Sequence, residues 1–144
     1  MIFCGALNLS IPNTRTTLQH NLLSNNTMLI NLSNHPLEQW DEAQLAAARQ
    51  YGEIVDMPFP DIDPHCTEDD VLSKVEEYLE RIDRIATMDT VVHVMGEMTF
   101  TYNMVSALKK RGIKCIASTT HRDTEIMPDG SKLSKFIFVK FREY

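Results

Sequence analysis

The sequence predicts a single α/β domain, a Rossmann-like three-layer sandwich on a mainly parallel sheet. Two observations carry this expectation. Short apolar runs alternate with longer segments of helical period, as repeated strand–helix units do. The run Thr90 to Met95 is apolar on both faces, as a central parallel strand must be when helices cover both sides. A length of 144 residues suits one core.

The elements follow in order. Met28-Leu29-Ile30-Asn31-Leu32 reads as a buried strand, ended by Ser33-Asn34-His35-Pro36. Asp41 is a good helix N-cap, with Gln44 at the capping-box position and Trp40 placed to staple onto Leu45. That helix runs to Tyr51, and Gly52 ends it. Glu53 to Met57 is a second strand. Pro58, Pro60 and Pro64 then forbid regular structure, because proline lacks an N–H donor. Thr67 caps a long helix whose apolar stripe is Val71, Leu72, Val75, Leu79 and Ile82.

After the strand Thr90 to Met95 comes Gly96-Glu97-Met98-Thr99, with a helix from about Thr99. Phe100, Met104, Val105 and Leu108 form its stripe, and Gly112 terminates it. Ile113 to Ala117 is a fourth strand. Ser118 to Arg122 reads as a polar segment leaving the sheet. Met127-Pro128-Asp129-Gly130 is a turn, and Phe136 to Phe141 returns as an antiparallel hairpin strand. Right-handed crossovers then favour strand order 2-1-3-4, with the last strand at or near the far edge. Strands 1 and 3 become neighbours whose helices leave in opposite directions. Ligands bind at such a switch point.

Met1 to Thr27 contain no Asp or Glu and one charged residue, Arg15. They read as a poorly ordered extension over residues 1–27, and Met28 is an alternative initiator for a domain spanning 28–144. The formal net charge of -6 argues against binding long nucleic acid or an anionic membrane. No run approaches the roughly 18 apolar residues of a membrane span. Cys4, Cys66 and Cys115 are odd in number and far apart. That pattern disfavours a disulfide framework or a structural zinc site and suits a reducing cytoplasm.

Three polar segments are expected to converge at the carboxyl end of the sheet, and each has a plain alternative. Gly96 would let the backbone approach a ligand, and the next helix N-terminus would favour phosphate, with Thr99 adding a hydroxyl. Alternatively, Gly96 only turns the chain and Thr99 only caps. Glu97 would repel phosphate, so it contacts ribose or base, or faces solvent. Arg122 could clamp a phosphate, and His121 could act as acid or base. Alternation in an extended segment keeps those two from both reaching one ligand. The segment could equally be a hydrophilic hairpin shoulder. His35 is the other candidate acid or base, and Asn34 could bond a base or sugar. Asn34-His35-Pro36 also makes an ordinary strand-to-helix turn. His93, inside the central strand, reads as a satisfied core histidine.

Asn-His-Pro follows the first strand, Gly-Glu-Met-Thr-Phe-Thr-Tyr the third and Ser-Thr-Thr-x-Arg the fourth, and the sequence ends in Phe-Arg-Glu-Tyr. Over Met28 to Tyr144 the chain resembles small stand-alone CRISPR-associated Rossmann-fold (CARF-like) proteins of the ring nuclease type. The resemblance implies a homodimer that binds a cyclic oligoadenylate messenger, cyclic tetra-adenylate foremost, and cuts it to regulate type III CRISPR antiviral defence. It implies a hydrolase of phosphodiester bonds that needs no metal and no cofactor. His35, His121 and Arg122 would carry the catalysis. Ser33, Asn34, Gly96, Glu97, Met98, Thr99, Thr119 and Thr120 would line the ligand. The segment at Gly96 lacks the extra glycine and the lysine common in larger CARF domains. A non-cleaving sensor or sponge is the alternative, and an unrelated nucleotide enzyme on the same fold is a third.

Overall fold

The computed structural model describes residues 27–144, so the expected extension lies outside the described residues apart from Thr27. The chain folds as an α/β sandwich on one five-stranded sheet of order β2-β1-β3-β4-β5. The strands are β1 (Thr27–Ser33), β2 (Glu53–Asp56), β3 (Asp89–Met95), β4 (Lys114–Ile126) and β5 (Lys132–Glu143). The helices are α1 (Glu42–Arg49), α2 (Glu68–Ile85) and α3 (Met98–Lys110), with a 3-10 turn at Leu37–Gln39. The first four strands are parallel, and β5 returns antiparallel to β4. Fold class and strand order are those the sequence predicts.

The centre of the sheet has two dry faces. Ile30, Leu32, Val92 and Val94 turn one way and pack under α2 and α3. Leu29, Val91 and Ile116 turn the other way, against Trp40, Ala48 and Phe141. Thus α1 covers one face, and α2 and α3 cover the other. The switch between β1 and β3 arises because α1 and α3 leave those neighbours on opposite sides.

Local chemistry starts and stops the helices as expected, with two differences. Asp41 accepts the N–H of Gln44 at 2.7 Å and caps α1. Thr67 and Asp70 form a reciprocal capping box on α2. Gly52 and Gly112 take positive φ just past helix ends, at 99° and 76°. At Gly52 a Cβ would also collide with the Thr27 carbonyl. Leu72, expected in the buried stripe of α2, is 40% exposed. Tyr78 is buried instead, and its hydroxyl donates to the Pro58 carbonyl at 2.9 Å. The second difference concerns Gln44, whose side chain leaves the capping-box position and reaches β4.

One expectation needs a larger correction. Ser118 to Arg122 do not leave the sheet; they continue β4, which pairs with β5 out to Ile126. Pairing of β4 with β3 ends at Ile116, so the rest of β4 and β5 forms a two-stranded ribbon past the parallel sheet. Both faces of its outer part meet solvent; the β4 half is polar and reads as loop, whereas the β5 half exposes Phe136, Ile137 and Val139 and reads as strand. A register shift at Thr119/Thr120 leaves Val139 without an opposite residue. The chain end is tied back to the sheet. Tyr144 donates its hydroxyl to the Val94 carbonyl at 2.7 Å, and Lys109 donates to the Tyr144 carbonyl at 2.6 Å.

Phe100 is the largest fully buried side chain, edge-on to Phe59 and Tyr78 at centroid distances of 5.1 and 5.6 Å. Phe100→Ala is expected to cost about 3–5 kcal/mol of stability. Denaturant unfolding measures this, and a loss under about 1 kcal/mol would contradict the packing described.

Candidate functional site

Asn31 and Ser33 are buried polar residues in a strand whose other buried residues are apolar. Burial requires that their polar atoms be bonded. Their partners form a chain across the sheet. The Asn31 side-chain amide donates to Asp56 Oδ1 at 2.7 Å and to the His35 carbonyl at 2.9 Å. Asn31 Oδ1 accepts from Ser33 Oγ at 2.8 Å and lies 2.9 Å from His93 Nδ1. His93 Nε2 lies 2.9 Å from Ser118 Oγ. Gln44 Nε2 donates to Ser118 Oγ at 3.1 Å. Asn31 and His93 sit side by side because they are register partners in the β1–β3 ladder.

Each bond fixes the direction of the next. A carboxylate and a carbonyl only accept, so the Asn31 NH2 must face them and Oδ1 must face the histidine. Two bare acceptors would repel, so His93 carries its proton on Nδ1. Its Nε2 is then bare and accepts the single hydroxyl proton of Ser118. Burial, with nearby His35 adding, pushes the His93 pKa from 6.5 down to about 4, so the ring is neutral at pH 7. Ser118, His93 and Asn31 have the connectivity of nucleophile, base and orienting group. Such a low pKa makes His93 a weak base, and its 1% exposure keeps ligands off the ring.

Above the Ser118 end of this chain lies a cavity of about 570 Å³ on the α1 side of the sheet. His35, Trp40, Gln44, Ser118, Phe136 and Phe138 are among its walls. The Trp40 ring meets His93 edge-on at 5.3 Å, and its indole N–H donates to the His35 carbonyl at 3.0 Å. The ribbon supplies the outer wall.

The expected site residues divide among three cavities. His35 and Thr120 line the α1-side cavity. Gly96 and Met98 line another on the α3 side, about 480 Å³, floored by Val105 and Tyr144. Ser33 and Asn34 line a third beside the proline-rich segment. All three open around the carboxyl ends of β1 and β3, and Met95 borders the first two. Asn34 remains tied to this edge, its N–H donating to the Met95 carbonyl at 3.0 Å. The single crevice expected to hold Asn34, Gly96 and Thr120 together is therefore not formed. Neighbouring strand ends point their loops to opposite faces at a switch point, and that separates them.

The α3 N-terminus also differs from expectation. Glu97 is its N-cap, and the carboxylate accepts the N–H groups of Thr99 and Phe100 at 3.1 and 2.8 Å. Thr99 Oγ1 donates to the same carboxylate at 2.8 Å. The N–H of Phe100, then that of Thr99, holds the Glu97 pKa below the usual carboxylate value. The place expected for a phosphate is thus filled by the chain's own anion. Gly96 has a packing reason as well: a Cβ there would strike the Phe59 ring.

On the ribbon, Thr120 and Arg122 are two residues apart and share the cavity side of β4. Arg122 pairs opposite Phe136, lies 5.8 Å over that ring and donates to Ser134 Oγ at 3.1 and 3.2 Å. His121 alternates to the opposite side and pairs with Ile137. Thr119 faces that way too, its hydroxyl bonded to the Lys140 carbonyl at 2.9 Å. Among the described residues no cluster of His, Cys, Asp and Glu could hold a metal ion. Among them also, no helix is long and apolar enough to cross a membrane. Cys66 is exposed and Cys115 buried, with burial pushing the Cys115 thiol up to about 11.

Sequence reasoning missed Asn31, His93, Ser118 and Gln44 as a unit. The available signal was a polar residue at the centre of each of two strands predicted to be neighbours.

The depressed pKa of His93 has a consequence for stability. Between about pH 6.5 and 4 the unfolded chain binds a proton that the folded chain refuses. Stability is full above that window and falls as pH drops through it, by about 3 kcal/mol from this residue. Thermal unfolding across the window should show the fall, with a shallower slope in His93→Gln; equal slopes would contradict the assignment.

Residues 27–142 match one family model, whose description is Uncharacterized protein MJ1673 family. No curated protein matches the chain. The match spans most of the sequence and all of the sheet but its last residue, and the chain belongs to that family.

Proposed function

We propose that the α1-side cavity binds a cyclic oligoadenylate and that the protein cuts this messenger as a ring nuclease. The observation that carries the reading is an aromatic-walled cavity at the switch point with Arg122 on its ribbon. Phe136 and Phe138 line the cavity, and stacking of a base on an aromatic ring is worth about 1–3 kcal/mol. Arg122 supplies a local cation in a chain of net charge -6. The motif resemblance supplies the cyclic adenylate, the homodimer, the cytoplasmic setting and the link to antiviral defence. Two copies related by a two-fold axis suit a symmetric ring.

The reaction asks little of the protein. A ribose 2′-hydroxyl attacks the adjacent phosphorus in line, the bond to the 5′-oxygen breaks, and a 2′,3′-cyclic phosphate remains. The 2′ proton leaves to a base, and the 5′-oxygen gains one. Holding that geometry supplies part of the rate. Within one protomer the acid–base role falls to His35, because His121 lies on the far side of the ribbon. The sensor or sponge reading has its own support. Glu97 closes the helix N-terminus to phosphate, and only one expected acid–base side chain lines the cavity.

Incubation with cyclic tetra-adenylate in EDTA should yield linear products ending in 2′,3′-cyclic phosphate. Arg122→Ala should weaken binding roughly tenfold. His35→Ala should slow cleavage by about 10²–10⁴-fold with little change in affinity, and His121→Ala should leave turnover unchanged. Binding with the messenger recovered intact would favour the sponge. Absence of both binding and cleavage would remove both readings.

A further inference from the structure

Gln44 stands at a capping-box position yet turns away from its own helix end, donating instead to Ser118, 74 residues further on. The polar chain beneath explains why. Ser118 has one hydroxyl proton, and His93 Nε2 takes it. Ser118 Oγ can then only accept from Gln44, so the Gln44 NH2 must face Ser118. The amide has no freedom to flip. A flipped amide would set two acceptors 3.1 Å apart with no proton between them. The order of donors and acceptors therefore runs unbroken from the Asp56 carboxylate through Asn31, His93 and Ser118 to Gln44.

With one N–H of its amide donated to Ser118, Gln44 has its carbonyl oxygen and its second N–H left to offer. Gln44 lines the cavity beside Phe136 and Phe138. We infer that Gln44 reads the ligand's base, its carbonyl accepting a hydrogen bond from an exocyclic amino group such as the 6-amino group of adenine. This rests on the nucleotide-binding reading above and adds to it a residue that sets specificity. The aromatic walls hold any base by its face. The Gln44 carbonyl rejects a base that presents an oxygen or nothing at that edge, because the acceptor would be buried without a donor. Asp56, Asn31, His93 and Ser118 are positioning residues; they fix which end of the amide faces the ligand.

The test compares cyclic tetra-adenylate with its purine-riboside analogue, in which hydrogen replaces each 6-amino group. The wild-type protein should bind the analogue at least tenfold more weakly by calorimetry. Gln44→Met should bind the two rings equally, at about the affinity of wild type for the analogue. Ser118→Ala, which frees the amide to turn, should narrow the difference while keeping the fold by circular dichroism. Equal binding of both rings by the wild-type protein would overturn the inference and leave the messenger reading standing. Failure to bind either ring would overturn the messenger reading, and the inference would fall with it.

Discussion

The hydrogen bond between Asn31 and His93 is the constraint on which the site depends. Two polar side chains lie at the centre of the two innermost strands, where water cannot serve them. Each satisfies the other across the β1–β3 ladder, and each passes its remaining valence outward. Asn31 hands its NH2 to Asp56 and to the His35 carbonyl, which anchors the turn after β1. His93 hands its bare Nε2 to Ser118, which ties β4 to the same network. Four parallel strands and α1 are thereby tied to one another by side-chain hydrogen bonds, in the middle of a sheet whose buried side chains are mostly apolar.

The two faces of the sheet serve different ends. The side under α2 and α3 is built for stability: Phe100, Leu79, Ile82 and Leu108 fill it, and Tyr144 ties the chain end to its edge. Even the strand-end glycine on that side is explained by packing against Phe59. The α1 side carries less apolar packing and more chemistry. A short helix leaves room for a cavity, and the ribbon of β4 and β5 rises beside it with two phenylalanines and an arginine. A ligand there meets a floor whose hydrogen-bonding direction was fixed when the chain folded.

The fold was legible because its signals are local. Apolar runs, the Asp41 and Thr67 caps and the terminating glycines all stand where their own neighbours dictate. Strand order followed from crossover handedness. The outer half of β4 was not legible, because its run from Ser118 to Glu125 is polar on both faces and has the composition of a loop. Gln44 was misread for a related reason. Its spacing from Asp41 fits a capping box, yet a partner far along the chain competes for the amide and wins. The site suffered most. His93 does read as a satisfied core histidine, but the partner that satisfies it and the cavity it orders appear only when distant segments are brought into register.

Nitrogen-15 NMR of the His93 ring at pH 7 reads the direction of the network, because tautomers differ clearly in their long-range proton–nitrogen couplings. A neutral ring with the proton on Nδ1 and a bare Nε2 is expected. A ring protonated on Nε2, or one carrying both protons, would reverse the direction of the network and contradict this arrangement.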